Sequence, residues 1–212
     1  MSHSDPEDIE DVEINRAPML RISHIVRGRL NERNRVKYFV DPEGHDNERA
    51  IPEEVVLKRW RKRTSRGHSF HGFRLGPNTW RALAHAFGTS ASKICRLTED
   101  EIGSTRKSLK LDDEKKHLWL PSANSVWSMA HVIGARKLQL ILDRHTDPDH
   151  AGRYGTPDLF LFATRTVDDQ PVFYRMVEVK KPDEPASEDQ KKEILFLRSI
   201  GVPARILRLI ER

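Results

Sequence analysis

The chain is predicted to be an α/β protein of the α+β kind, with a C-terminal core of a mixed central sheet flanked by helices and a mainly helical N-terminal region. Three observations carry this expectation. Leu159-Phe160-Leu161-Phe162 is a short, continuous apolar run, the pattern of a strand covered on both faces. Residues 172–180 form a second strand in which Glu178 and Lys180 alternate with Val177 and Val179, so the charged pair shares one face and the valines point to the core on the other. Ser187 and Gln190 have capping-box spacing, followed by Ile194, Leu197 and Ile200 on one helical side and by Gly201 at the C-cap.

The elements follow in chain order. Residues 1–16 are acidic and nearly free of large apolar groups, which predicts a disordered tail. Residues 17–38 mix Met19, Leu20, Ile22, Ile25, Val26 and Leu30 with arginines in a weak helical rhythm. Positions 39–47 are dense in turn residues and read as a loop. A helix is expected to begin near Pro52, whose fixed φ suits a first helical position, with Val55, Val56 and Trp60 on one side. Residues 80–97 have the spacing of a helix-turn-helix: Ala84 lets two helices approach, Gly88 supplies the turn, and Ile94 with Leu97 closes the core. Positions 99–121 are charged enough to be a solvated helix or connector, where a soft boundary is placed.

The division expected is therefore an acidic tail over 1–16, a basic, mainly helical region over 17–120 and a C-terminal domain over 121–212. Within the last, residues 125–135 predict a buried helix ending at Gly134, and 137–143 alternate as a first strand would. A last strand over 202–210 completes the series.

The 212 residues include 37% hydrophobic and 33% charged, which leaves enough apolar material for a core. A net charge of +5 favours a partner carrying phosphates. The densest basic cluster is Lys58, Arg59, Arg61, Lys62, Arg63 and Arg66 around Trp60, followed by His68 and His71. Its guanidinium groups suit phosphate oxygens and its Trp could stack on a base, although such clusters also occur as plain solvated faces. The single cysteine, Cys95, excludes an internal disulfide framework and a cysteine-cluster metal site, and is expected to be half-buried and inert. No apolar run is long enough to cross a bilayer and the N-terminus does not read as a signal peptide, so a cytoplasmic setting without membrane is expected.

Hydrolysis of a phosphodiester requires a poorly reactive anion to accept a water nucleophile. Two carboxylates binding Mg²⁺ or Mn²⁺ can offset the phosphate charge and acidify a water, and a lysine beside them can stabilise the attacking hydroxide or the developing charge. Asp158 at the start of one strand and Glu178 with Lys180 at the end of the next fill those roles. His145, Asp147 and His150 lack zinc-type spacing and read as exposed loop residues.

Pro157-Asp158, nineteen intervening residues and then Glu178-Val179-Lys180 resemble the signature of the PD-(D/E)XK nuclease superfamily. The continuation through Ser187 and Gln190 to Gly201 is similar to the virus-type replication-repair nuclease (VRR-NUC) branch, in which a G-x-P-D strand, an E-V-K strand and an S-x-x-Q helix follow in order. The resemblance implies a restriction-endonuclease-like core ordered helix, strand, strand, strand, helix, strand. It also implies a metal-dependent DNA nuclease, with Asp158, Glu178, Lys180 and Gln190 as catalytic residues and Asp158, Glu178 and Val179 holding Mg²⁺ or Mn²⁺. In that family a helix before the first strand commonly supplies a further acidic ligand. The helix expected at 125–135 has no Asp or Glu, so Glu114 is ranked first as substitute, with Asp143 and Glu101 as alternatives.

DNA in duplex, flap or junction form is the expected partner, contacted by Arg59, Arg61, Lys62, Arg63, Arg66, Arg153 and Lys181. Three uses remain open at this point. The first is a repair or recombination nuclease selective for DNA structure. The second is an antibacterial effector delivered into a target-cell cytoplasm and neutralised by an immunity protein. The third is a catalytically silent nucleic-acid-binding protein that keeps the nuclease fold.

Overall fold

The structure is a computed structural model. It describes residues 12–14, 19–26, 29–40, 48–111, 120–149, 155–182 and 184–210. Its centre is a five-stranded sheet in the spatial order β1, β8, β7, β6, β5, where β1 is Val12–Ile14, β5 His68–Arg74, β6 Leu159–Arg165, β7 Pro171–Lys180 and β8 Ala204–Leu209. β5, β6 and β7 are antiparallel neighbours, whereas β8 runs parallel to both β7 and β1. A parallel neighbour needs a crossover, and α7 (Glu188–Ser199) supplies it between β7 and β8.

Strand alternation divides the interior into two layers. Phe160, Phe162, Met176 and Ile206 face one core, shared with Trp80, Leu83, Ile94, Met129, Leu138 and Ile194 from the helices. Leu159, Leu161, Val177, Val179, Leu207 and Leu209 face the other, covered by Val55, Val56 and Leu57 of α1 (Pro52–Arg61) together with Tyr38, Val40 and Ala50. The central strands are thus apolar on both faces, as β6 requires at 159–162.

α1 starts at Pro52, as expected, and carries Glu53 and Glu54 in its first turn and Lys58, Arg59 and Arg61 in its last, both favourable to the helix dipole. α2 (Thr79–Phe87) and α3 (Ala91–Ile94) form the expected hairpin, turning at Gly88 with φ 86°. α4 spans Glu99–Leu111, and α5 spans Ala123–Ile133 and ends at Gly134. The capping box between Ser187 and Gln190 is present at the start of α7. Cys95 is half-buried.

Three local expectations are corrected. Residues 137–143 are not a strand: they lie in α6 (Ala135–Thr146), where Leu138, Ile141, Leu142 and His145 are buried at helical spacing. The alternating set Leu138, Leu140, Leu142 misleads because Leu140 is 42% exposed. The stretch 17–38, with its weak helical rhythm, instead forms β2 (Met19–Val26) paired antiparallel with β3 (Arg29–Phe39), with β4 (Arg49–Ala50) alongside. β-branched Ile22, Ile25, Val26 and Val36 favour the extended form, and the long ladder from Met19–Tyr38 to Val26–Arg29 gains cross-strand bonds invisible to local periodicity. Finally, Val12–Ile14 within the expected disordered tail form β1, hydrogen-bonded beside β8.

The expected series helix, strand, strand, strand, helix, strand is met by α1, β5, β6, β7, α7 and β8. Its first helix and first strand come from residues 52–74, upstream of the expected boundary, and α2 to α6 are inserted between the first two strands. β5 is bonded to β6 from His68–Arg165 to Arg74–Leu159, so the sheet itself crosses position 120.

Candidate active site

Asp158 sits immediately before β6, where Leu75 N–H donates to its backbone carbonyl at 2.7 Å and fixes the end of β5 against it. Its carboxylate is held by one oxygen: Oδ2 accepts from Val179 N–H at 2.8 Å. That bond ties the start of β6 to the end of β7, which brings Glu178 and Lys180 beside Asp158. Glu178 and Lys180 are 5% and 4% exposed, an unusual burial for charged residues that demands partners.

Those partners are present. Lys180 Nζ lies 3.1 Å from Glu178 Oε1 and 3.5 Å from Glu184 Oε1. Gln190 Nε2 donates to the same Glu178 Oε1 at 2.5 Å, while Gln190 Oε1 accepts from Ser187 N–H at 2.9 Å. One side chain therefore caps α7 and orients a carboxylate. Among the described residues neither Asp158 Oδ1 nor Glu178 Oε2 has a hydrogen-bond donor, which leaves one free carboxylate oxygen on each.

The electrostatics follow from this burial. Desolvation pushes the Asp158 carboxyl up to about 6, against the Val179 N–H bond, and the charge of Glu53 adds to the rise while Lys180 and Arg74 oppose it. Desolvation likewise raises Glu178 to about 7, reinforced by the Asp158 charge and opposed by Lys180. Two electrostatically coupled, desolvated carboxylates, each with an oxygen unfilled by the described residues, are a donor set that suits a hard divalent cation such as Mg²⁺ or Mn²⁺. Among the described residues no group of three or more His, Cys, Asp or Glu side chains converges in metal-binding geometry, so the two carboxylates are the centre of the set.

A further acidic residue was missed in the sequence. The helix preceding the first core strand is α1, not α5, and α1 begins Pro52-Glu53-Glu54. Glu53 is close enough to act on Asp158 electrostatically. The usable signal was the Pro-Glu-Glu helix start, hidden because the insertion of α2 to α6 separates it from Asp158 by about a hundred positions. Arg74, exposed at the end of β5, also acts on Asp158 and was not singled out.

Among the other expected residues, Glu114 and Arg153 lie outside the described residues, as does His150. Asp143 accepts from Gln139 Nε2, and Glu101 caps its own helix through Thr98 N–H and Oγ1; neither is among the charges acting on Asp158. Lys181 is exposed just beyond Lys180. In the basic cluster, Arg59 Nε donates to Val40 O at 2.6 Å and Arg61 Nη2 to Gly72 O at 2.5 Å, while Lys62, Arg63 and Arg66 are exposed. Trp60 donates to His71 O and packs edge-on against Phe70. His145 is a correction: it is buried in α6, not exposed in a loop, and bonds Glu193 Oε1 at 2.8 Å.

Antiparallel β5, β6 and β7, a parallel β8 reached through α7, and a carboxylate pair with a lysine at the strand ends define a PD-(D/E)XK-type nuclease core. The model of the VRR-NUC domain family matches residues 112–209, in the C-terminal part of the chain. Among solved structures, the chain is similar to paFAN1 bound to 2nt 5′ flap DNA with a gap, at a TM-score of 0.52 and 14% identity, covering 100% of this chain and 39% of that one. A second structure, paFAN1 bound to 1nt 5′ flap DNA with a gap, matches at a TM-score of 0.41 and 21% identity over 79% of this chain and 36% of that one. The chain thus spans less than two fifths of the length of these structures. No curated protein sequence matches it. Among the described residues no helix is long and apolar enough to cross a membrane.

Proposed function

We propose that this chain is a nuclease that hydrolyses phosphodiester bonds in DNA with the help of Mg²⁺ or Mn²⁺. The observation that carries the reading is the desolvated pair of Asp158 and Glu178, each with an oxygen lacking a donor among the described residues, set against buried Lys180. Asp158, Glu178 and the Val179 carbonyl would hold the cation, with Glu53 as a further carboxylate whose charge reaches Asp158. The bound cation supplies charge neutralisation at the phosphate and a more acidic water.

The side chains supply the rest. Lys180, pinned between Glu178 and Glu184, offers N–H donors to the negative charge that grows on the phosphate oxygens as the water oxygen bonds to phosphorus. The attacking water gives up a proton to solvent, the bond from phosphorus to the leaving sugar oxygen breaks, and that oxygen takes up a proton from solvent. Gln190 keeps Glu178 in one orientation through the capping box, so no rotamer search accompanies each turnover. Glu178 and Lys180 are buried and Asp158 half-buried, which strengthens the electrostatic interactions among them.

The paFAN1 structure matched at a TM-score of 0.52 is bound to 5′ flap DNA, which makes a flap the first substrate to try. The test is cleavage of labelled single-stranded, duplex, flap and four-way-junction DNA with Mg²⁺, Mn²⁺ or chelator. Metal-dependent cutting, with one branched substrate preferred over plain duplex, is expected. Binding of all four without cutting in either metal would replace this reading by that of a silent nucleic-acid-binding protein.

A further inference from the structure

Arg63 follows the end of α1, Arg175 lies in β7, and Arg205 lies in β8. Strand register puts the last two on one face: Arg205 pairs with Val177, and Arg175 is two residues before Val177. Both therefore point to the α1 side with Val177, Val179 and Leu207, away from Glu178 and Lys180. Arg63 enters the same space from α1, and the three charges are close enough to repel: desolvation lowers the Arg175 pKa first, then Arg205 and Arg63 lower it further. No carboxylate pairs with any of the three among the described residues, whereas Arg144 and Arg165 have Glu193 and Asp168.

Aromatic rings hold the cluster in place. The Arg63 guanidinium carbon lies 5.2 Å from the Trp60 ring centre and 5.8 Å from that of Phe70, and the Arg175 carbon lies 5.0 Å from Phe173. Trp60 in turn packs on Phe70 at 5.1 Å and on Phe173 at 5.9 Å, so the rings form one continuous platform. A guanidinium held by its face keeps its N–H edge free, and a planar fork of donors matches phosphate oxygens. Three cations without an acid, two of them half-buried, are costly to assemble unless an anion completes them.

We infer that Arg63 and Arg175, seated on the Phe70–Trp60–Phe173 platform, form with Arg205 on the neighbouring strand a phosphate-binding site that grips the nucleic-acid backbone away from the scissile bond. The inference rests on the proposed nuclease reading only for the identity of the ligand as nucleic acid. Arg175 stands three residues before Glu178, or about 10 Å along β7, and on the other face of the sheet, so the phosphate it grips is not the scissile one. This accounts for the Trp within the basic cluster as a support for arginines and not as a surface for a base.

The test is binding of duplex DNA in chelator across a salt series by the natural chain, Arg175→Gln, Arg205→Gln and the double variant, with Arg175→Lys and Arg205→Lys as charge-retaining forms. The double Gln variant is expected to lose at least roughly tenfold in affinity near 0.1 M salt and to flatten the slope of log K against log salt by about 1 to 2. The Lys forms are expected to keep most of the slope, and the Gln forms to melt no lower than the natural chain, because a repelled cation has been removed. Oligonucleotides with a 5′-phosphate or a 5′-hydroxyl separate the sources: equal losses assign an internal phosphate, and a loss confined to the phosphorylated form assigns a terminal one. Unchanged affinity and slope in the double variant would overturn the site, as would an equal loss in the Lys forms accompanied by a lower melting temperature. A natural chain that cuts no DNA while the Gln variants lose binding would leave the site standing and remove the nuclease reading.

Discussion

Replacing Asp158 by Asn should make the metal-free protein more stable, although it removes a residue central to the proposed chemistry. The Asp158 carboxyl is raised from 3.8 to about 6, mainly by desolvation. The folded state therefore binds this proton more tightly than the unfolded chain, and the penalty for ionising it is absent below about pH 4. It grows as pH rises and is complete above about pH 7, so stability falls across that window. At ~1.4 kcal/mol per pKa unit the full shift corresponds to about 3 kcal/mol. Asn keeps an oxygen for Val179 N–H, but a neutral acceptor is weaker, which leaves a net gain of about 2 kcal/mol. For a chain of this size that is a rise in Tm of roughly 4–8 °C. The assay is thermal unfolding of both proteins in chelator from pH 4 to 8. The Asn form should melt higher at pH 7.5, and the two curves should converge near pH 4. A lower Tm for the Asn form at pH 7.5, or a pH-independent difference, would refute the desolvation argument.

Other perturbations test other parts of the structure. At Gly72 an added Cβ would lie 2.8 Å from Leu161 Cδ2, 2.9 Å from Leu57 Cδ1 and 3.0 Å from the Phe160 carbonyl, so Gly72→Ala should cost about 1–3 kcal/mol by denaturant unfolding. A cost near zero would mean that α1 does not pack this closely on β5. Glu193 is 1% exposed and bonds both Arg144 and His145, so Glu193→Ala should lower stability by about 3 kcal/mol at neutral pH. Gln190→Ala removes half of the capping box and the Glu178 contact together. It should cost about 1 kcal/mol of stability and roughly 10- to 100-fold in cleavage rate at saturating metal, and an unchanged rate would confine Gln190 to capping.

Much of the core was legible because the relevant signals are local. The apolar run at 159–162, the alternation ending at Lys180 and the Ser187–Gln190 capping box each state an element within a few residues, and each formed as expected. What escaped depends on partners far along the chain. β5 reads His-Ser-Phe-His-Gly-Phe-Arg, with little apolar alternation, and is a strand because β6 offers it a full ladder. Leu140 mimics strand alternation within α6 but points to solvent, so only the packing of Leu138, Ile141 and Leu142 decides the helix. Glu53 was invisible for the same reason. Its neighbours in sequence describe a helix start, and its proximity to Asp158 arises only when α1 lies over the sheet. Trp60 and Arg63 read as a nucleic-acid surface, but the rings that fix them, Phe70 and Phe173, come from β5 and β7.

Single-turnover cleavage of labelled 5′ flap DNA by excess protein tests the centre most directly, with the natural chain, Asp158→Asn and Lys180→Ala compared in Mg²⁺ and in chelator. Cutting by the natural chain in Mg²⁺ alone, reduced by several orders of magnitude in both variants while each still binds the DNA, is the expected result. Equal cutting by the natural chain and the variants, or cutting that persists in chelator, would contradict the assignment of Asp158, Glu178 and Lys180 as the catalytic centre.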